Sequence, residues 1–581
     1  MANLVEEAKS SVCAIIDAAY KKAAAAGELP EGASLTGTVE IPKDTANGDF
    51  AANHAMTGAK ALHMAPRKIA EALINNMELS NTWFVSAEAA GPGFINLRLG
   101  PKWYGDVLAA VESEGGDYGR SAGLAGQKIM VEFVSANPTG PMHMGNARGG
   151  VLGDTLAEVL SRAGAEVQRE FYVNDAGNQI AKFANSLEAR YLQIINGEDS
   201  VEFPEDGYQG EDIKELARLY YEEKGDSAAT KLPAERRDEL AKFGLDRNLP
   251  KMRADLERYK ISYDKWFYES SLYDTGYVRE TVDKLTQLGR TYSKDGAIWL
   301  KTSEIIGENL LKSGKTPQEI EKLELKDDVL RRANGFYTYF ASDIAYHRNK
   351  FEERGFDRVI NVWGADHHGH VARIKCAMDA LGLDGEHRLD IVLMQLVNLM
   401  RDGEVVRMSK RTGKAISLSD LLDEVPVDAV RWFFNTKPDT QMDFDLGLAV
   451  RQDSENPVYY VQYAHARICS LLANLAEEGH AAPSVSELDP ALLATELERE
   501  LIKQLAALPD ELLRAAAAYD PSRVNRYVTE VAARFHKFYN ACRIRDAEKG
   551  VLEARLKLAE CTGSVINVCL GIVGVTAPNK M

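Results

Sequence analysis

The sequence predicts an α/β fold: a Rossmann-like parallel-sheet domain with a helical insertion, an N-terminal α+β module before it and a C-terminal all-α bundle after it. Three observations carry this. Residues 129–134 are an apolar run of the β-branched and aromatic types that strands favour, cut off by Asn137-Pro138-Thr139-Gly140-Pro141. Ala147, Val151, Leu152, Leu156, Val159 and Leu160 then recur at helical spacing, so strand, tight loop and helix make half of a βαβ unit. Strand-like runs return at 166–173, 358–363 and 389–393, whereas everything after about residue 446 is helical in period.

Taken in order, residues 1–118 read as the separate α+β module. It has an amphipathic first helix, a strand at 36–41, a helical stretch at 50–77 broken near Pro66, and a Gly91-Pro92-Gly93 turn into a strand. Residues 119–445 form the parallel-sheet domain. Within it, about 190–325 is charged and helical with little strand signal, and reads as an insertion. Residues 446–581 form the bundle. Hydrophobic content of 45% and charged content of 27% are ordinary for a globular chain of two to four domains. The acidic start has no basic n-region, and the uncharged stretch 561–578 carries enough Thr, Ser, Asn and Gly to read as a buried helix rather than a membrane span. Six cysteines without a Cys-x-x-Cys pair read as reduced packing residues of a cytoplasmic protein. The net charge of −18 argues mildly against a nucleic-acid partner, although local patches rather than totals set that footprint.

Two loops carry chemistry. His143-Met144-Gly145-Asn146 opens the helix after the first strand, where unpaired backbone N–H groups and the helix dipole favour phosphate. Gly145 leaves room for a ligand against the backbone, and His143 and Asn146 add hydrogen-bond donors. Alone, the motif equally fits a capped surface helix. Arg407-Met408-Ser409-Lys410-Arg411-Thr412-Gly413-Lys414 gathers four cations around a serine and a glycine; it suits a polyphosphate, and by itself also fits a solvated basic loop. A third cluster, His367, His368 and His370, invites a metal reading, but its spacing and its place after a strand favour a small-molecule pocket, so no metal site is expected.

Together these parts resemble the class I aminoacyl-tRNA synthetases, and within them the arginyl family. His143–Asn146 matches the HIGH signature and Arg407–Arg411 the KMSKS signature, on either side of an insertion. Glu132-Phe133-Val134-Ser135-Ala136-Asn137-Pro138 resembles the segment before HIGH in that family. Tyr337 to Tyr346, YTYFASDIAY, looks like its arginine-pocket helix. Asp428-Ala429-Val430-Arg431 and Tyr460 to Arg467 are similar to the entry of its anticodon-binding domain, and Gly91 to Asn96 to its N-terminal module.

The resemblance implies that arginine is joined to ATP with release of pyrophosphate and then moved to the terminal ribose of tRNA. It implies catalytic His143 and Lys410, with ATP held by His143, Gly145, Asn146, Ser409 and Lys410. Arginine would be held by Glu132 and Asn137 at its amino and carboxylate groups, by Tyr339 and Asp343 at its guanidinium, and by His367 nearby. It further implies ATP as substrate with Mg2+, no structural zinc, no membrane, tRNA read by the C-terminal bundle, and a cytoplasmic monomer. Residues 521–560 hold nine Lys/Arg against five Asp/Glu, a local net of +4, interleaved with Tyr527, Phe535, Phe538 and Tyr539, which could stack on bases although each taken singly suits helix core better. Asn146 replaces the second histidine of HIGH, and Arg407 and Arg411 replace the outer residues of KMSKS. The rival readings are a nucleotidylyltransferase, against which the helical last 130 residues count, and a binding protein that has lost catalysis, against which His143, Lys410 and Asp343 count together.

Overall fold

A five-stranded, fully parallel sheet organises the chain. Its strands are β1 (Lys128–Glu132), β2 (Glu166–Val173), β3 (Lys265–Tyr268), β4 (Arg358–Gly364) and β5 (Leu389–Met394), in the order β5-β4-β1-β2-β3. The chain winds outward from β1 to β3 and then returns to lay β4 against the other side of β1. At such a reversal the crossovers diverge and leave a crevice beyond the carboxyl ends of the strands, where α/β sheets bind ligands. The computed structural model describes residues 3–401, 403–406 and 416–581.

Helix α1 (Met144–Arg162) follows β1, α2 (Gly177–Asn196) follows β2, and α3 (Tyr339–Arg348) and α4 (His368–Ala380) flank β4. Glycines let α1 lie close on the sheet. A Cβ on Gly153 would stand 2.2 Å from Phe133 Cγ, and one on Gly150 would stand 2.8 Å from Ile261 Cδ1. Helix α3 runs on into a π-turn at Asn349–Glu353, a wide turn often kept at functional sites.

The stretch 190–325 is not helical throughout. Helices Glu211–Lys224 and Pro233–Arg258 pack on α2 around a small core of Phe183, Tyr191, Ile213 and Tyr220. The chain then supplies β3 to the central sheet and a separate antiparallel sheet of Thr291–Lys294, Ala297–Leu300 and Asp328–Arg331. Short strands with charged neighbours give little apolar signal, which is why the sequence reads as helix there. In the N-terminal module, Phe50–Ala52 is likewise a strand, paired with Phe94–Leu99, and only His54–Leu62 and Pro66–Asn75 are helical.

Helix α5 (Val427–Phe434) joins the sheet domain to the bundle, whose main helices are α6 (Pro457–Glu477), α7 (Ser522–Ala541) and α8 (Lys549–Val573). Arg431 is fully buried at this joint. It donates to Asp154 on α1 (2.6 Å), to the Tyr259 and Lys260 carbonyls (3.1 Å each) and to the Val573 carbonyl at the end of α8 (2.8 Å). Asp428, one turn earlier, accepts from Lys260 (2.6 Å), Gln462 on α6 (3.0 Å) and the Thr576 backbone (3.1 Å). The N-terminal module packs on the bundle through Glu112–Lys557 (2.7 Å), Asp49–Lys503 (2.5 Å) and the Tyr118 hydroxyl on the Leu505 carbonyl (3.1 Å). Among the described residues α8 alone is long and apolar enough to cross a membrane, and most of it is buried against its neighbours.

Candidate active site

β1 stops at Glu132, and the backbone then turns sharply. Val134 and Ser135 both have positive φ (68° and 42°), a conformation that a β-branched valine adopts only under constraint. The Ser135 hydroxyl fixes this turn, donating to Glu132 Oε1 (2.9 Å) and accepting from the Tyr172 N–H (3.1 Å). Beyond it, Asn137 is exposed on the loop toward α1.

His143 caps α1 and is exposed. The Asn146 side-chain oxygen accepts from the His143 backbone N–H (3.0 Å), so the residue that departs from HIGH fastens the helix start, which an imidazole does less readily than an amide. Gly145 meets nothing: a Cβ there would enter open space. Among the described residues, then, no protein atom demands glycine at this position. Two backbone hydrogen bonds stitch the loop to the far side of the chain, Met144 N–H to the Ile416 carbonyl (3.1 Å) and Leu418 N–H to the Met142 carbonyl (2.9 Å). Ser409 and Lys410, with the rest of 407–411, lie outside the described residues. The segment that follows them returns beside His143.

The arginine-site candidates gather around the carboxyl ends of β1 and β4. Glu132 is almost fully buried and is paired with Lys350 of the π-turn at 2.6 Å. Burial draws the Lys350 pKa below the usual lysine value, against the pull of Glu132 and Glu170. Asp343 on α3 is a quarter exposed. Its Oδ1 lies 3.0 Å from His347 Nδ1, and its Oδ2 lies 2.5 Å from His370 Nε2. Burial acts to raise its pKa, but the imidazoles of His347 and His370 outweigh this and hold the carboxyl well below the usual range. Tyr339, one turn before Asp343, is half exposed and lies over Gly177 at the start of α2, where an added Cβ would stand 2.8 Å from its ring. His367 is exposed at the end of β4, its ring 5.9 Å from that of Trp363. His370, left without a role by the sequence, is Asp343's partner. Among the described residues no cluster of His, Cys, Asp or Glu is arranged to hold a metal ion.

Sequence reasoning missed Glu269, at the carboxyl end of β3. It is 2% exposed, and burial, with the charges of Asp175 and Asp343, pushes its pKa up to about 7 against hydrogen bonds from Ser342 and Tyr172. It escaped notice because its strand was read as part of a helical insertion. Lys350, His347 and Asn361 were missed as well. Only the position of Glu269, just past a parallel strand, carried any signal.

A parallel sheet with this strand order, a glycine-bearing helix start at the reversal and the segment at 416–418 returning beside it fit a class I aminoacyl-tRNA synthetase, the class whose catalytic-domain family the chain matches. Residues 108–446 match the family "tRNA synthetases class I (R), catalytic domain", 11–99 match "Arginyl tRNA synthetase N terminal domain" and 461–581 match "DALR anticodon binding domain". The chain is 52% identical to an arginine–tRNA ligase of Acetivibrio thermocellus and 50% identical to one of Ruminiclostridium cellulolyticum, over all of each chain. It superposes on a putative arginyl-tRNA synthetase structure from Campylobacter jejuni with a TM-score of 0.72 at 34% identity, covering 83% of this chain and 100% of that one. A Thermus thermophilus arginyl-tRNA synthetase shares the fold at 21% identity, with a TM-score of 0.70 and coverage of 99% and 100%. The chain belongs to the arginyl-tRNA synthetase family, the arginine–tRNA ligases.

Proposed function

We propose the following division of labour in the ligase reaction. The α-carboxylate of L-arginine attacks the α-phosphorus of ATP in line, the α–β phosphoanhydride bond breaks, and pyrophosphate leaves. A hydroxyl of the terminal tRNA ribose then attacks the arginyl carbonyl and AMP leaves. No side-chain nucleophile is needed, so positioned donors and cations do most of the work. His143, Asn146 and the N-terminus of α1 hold the triphosphate from one side, with the backbone open at Gly145. Lys410 and Ser409 are assigned the cationic contribution to the triphosphate by their place in the KMSKS-like motif, and Mg2+ bound with the ATP would supply further neutralisation of the developing charge. The observation that carries this reading is the pair of backbone hydrogen bonds that return the chain after residues 407–415 to the mouth of α1.

Arginine lies across the ends of β1 and β4. Glu132 and Asn137 take its amino and carboxylate groups, with His367 beside them. Asp343, Tyr339 and Glu269 take its guanidinium, a planar fork that two carboxylates match and a lysine ammonium does not. The bundle reads the anticodon. Tyr527, Phe535 and Phe538 are core residues there. Tyr539 instead stacks with Arg467 (4.1 Å) in a cleft of about 370 Å³ that also carries Arg543 and Arg545, the ring-and-cation surface that unpaired bases favour.

Arginine-dependent exchange of labelled pyrophosphate into ATP, assayed with tRNA present, tests the assignment. Arginine alone among the twenty amino acids is expected to support exchange. Exchange driven by another amino acid, or by none, would sink it.

A further inference from the structure

The ammonium of Lys350 touches two groups and thereby fixes a third and a fourth. Its Nζ lies 2.6 Å from Glu132 Oε2 and 3.2 Å from Asn361 Oδ1. An ammonium only donates, so the Asn361 atom facing it is oxygen and the amide nitrogen faces away. That nitrogen lies 2.7 Å from His347 Nε2. An amide nitrogen also only donates, so Nε2 accepts and the ring proton sits on Nδ1. Nδ1–H in turn lies 3.0 Å from Asp343 Oδ1 and 2.9 Å from the Asp343 carbonyl. Lys350 and Asn361 are fully buried and His347 is 1% exposed, so each orientation follows from the donor or acceptor that its neighbour presents.

We propose that Lys350 is the positioning residue for both ends of the arginine pocket. It holds Glu132 directly, and it holds Asp343 through Asn361 and a neutral, Nδ1-protonated His347. This rests on the reading of Glu132 and Asp343 given above. The relay spends Asp343 Oδ1 on the chain and leaves Oδ2 for the pocket. In the structure Oδ2 is occupied by His370 Nε2 at 2.5 Å, so His370 is the group a substrate guanidinium displaces.

Ring-nitrogen NMR of the full chain, labelled at histidine and assigned with His347→Gln, tests the relay without disturbing it. His347 is expected as the neutral Nδ1–H tautomer near neutral pH. An Nε2–H tautomer or an imidazolium would overturn the relay. Kinetically, Asn361→Leu is expected to raise the KM for arginine by about tenfold or more while moving that for ATP by less than about twofold, because the link between Lys350 and His347 is lost at both of its ends while Glu132 keeps its ammonium partner. Lys350→Met is expected to raise the arginine KM and lower kcat as well. Should it fold poorly, Glu132→Gln/Lys350→Met removes the buried charges together, and the protonation of His347 is read in that background. There the freed Asn361 amide can turn its oxygen to Nε2, and a proton on Nε2 beside the retained Nδ1–H is expected; an unchanged neutral ring would overturn the relay. If Asp343→Ala leaves the arginine KM unchanged, the pocket reading fails. If Asp343→Ala raises it but Asn361→Leu does not, the relay alone fails.

Discussion

Asp343 and Glu269, the two carboxylates proposed for the guanidinium, stand in different electrostatic surroundings, and each makes a separate prediction. Asp343→Ala is expected to raise the arginine KM by about tenfold or more in steady-state kinetics, since losing a charged, hydrogen-bonded partner costs on the order of 2–4 kcal/mol. Glu269 has a pKa of about 7 in the fold, against an ordinary value of 4.5. The folded chain therefore holds this proton more tightly than the unfolded chain does. Its contribution to stability is full below about pH 4.5 and is lost as pH rises through 7, a change on the order of 3 kcal/mol. Urea midpoints measured across that range should fall with pH in the wild type and stay flatter in Glu269→Gln. A guanidinium favours the ionised carboxylate, so the arginine KM should fall as pH rises through 7, and this slope should vanish in the same variant. His143, Glu132, Asn137 and Asp343 were legible as candidates because each sits in a motif. Lys350 and His347 were not, and His370 was legible only as one of a histidine cluster without a role, because what they do depends on a π-turn and on contacts between elements that no local spacing records.

The glycines of α1 separate two reasons for having no side chain. Gly153 faces Phe133 with no room for a methyl, so Gly153→Ala should destabilise the fold by ~1–3 kcal/mol through overpacking, seen as a lowered Tm. Gly145 faces open space, so Gly145→Ala should keep or slightly raise Tm, as alanine usually does in a helix, while weakening ATP use in pyrophosphate exchange. A Gly145→Ala enzyme with wild-type kinetics would remove this position from the ATP site. Strand β1 and helix α1 were legible because residues 128–162 change period cleanly. The end of β1 was not: the apolar run continues to Val134, but strand pairing stops at Glu132 because Val134 and Ser135 are bent into positive φ to set the Ser135 hydroxyl on Glu132. Strand β3 was hidden for a different reason. At four residues among charged helices, it is too short for periodicity to detect.

At the scale of the whole molecule, Arg431 holds the sheet domain to the bundle. Arg431→Met should cost ~1–3 kcal/mol, because it leaves Asp154 with Arg169 alone and strips the donor from the carbonyls of Tyr259, Lys260 and Val573. Calorimetry should then show the bundle melting ahead of the sheet domain, where the wild type melts more cooperatively. The broad layout of module, sheet domain and bundle was readable from changes of period along the chain. That the module at one end rests on the bundle at the other was not, since the contacts join residues such as Glu112 and Lys557 across most of the sequence. This arrangement has a consequence in time. During synthesis, the face of the module that carries Glu112 waits for α8 while some 440 further residues are added, roughly 20–90 s at ordinary elongation rates. Throughout that interval the sheet domain can fold behind it, but the surface that meets α8 stays open until that helix has been made.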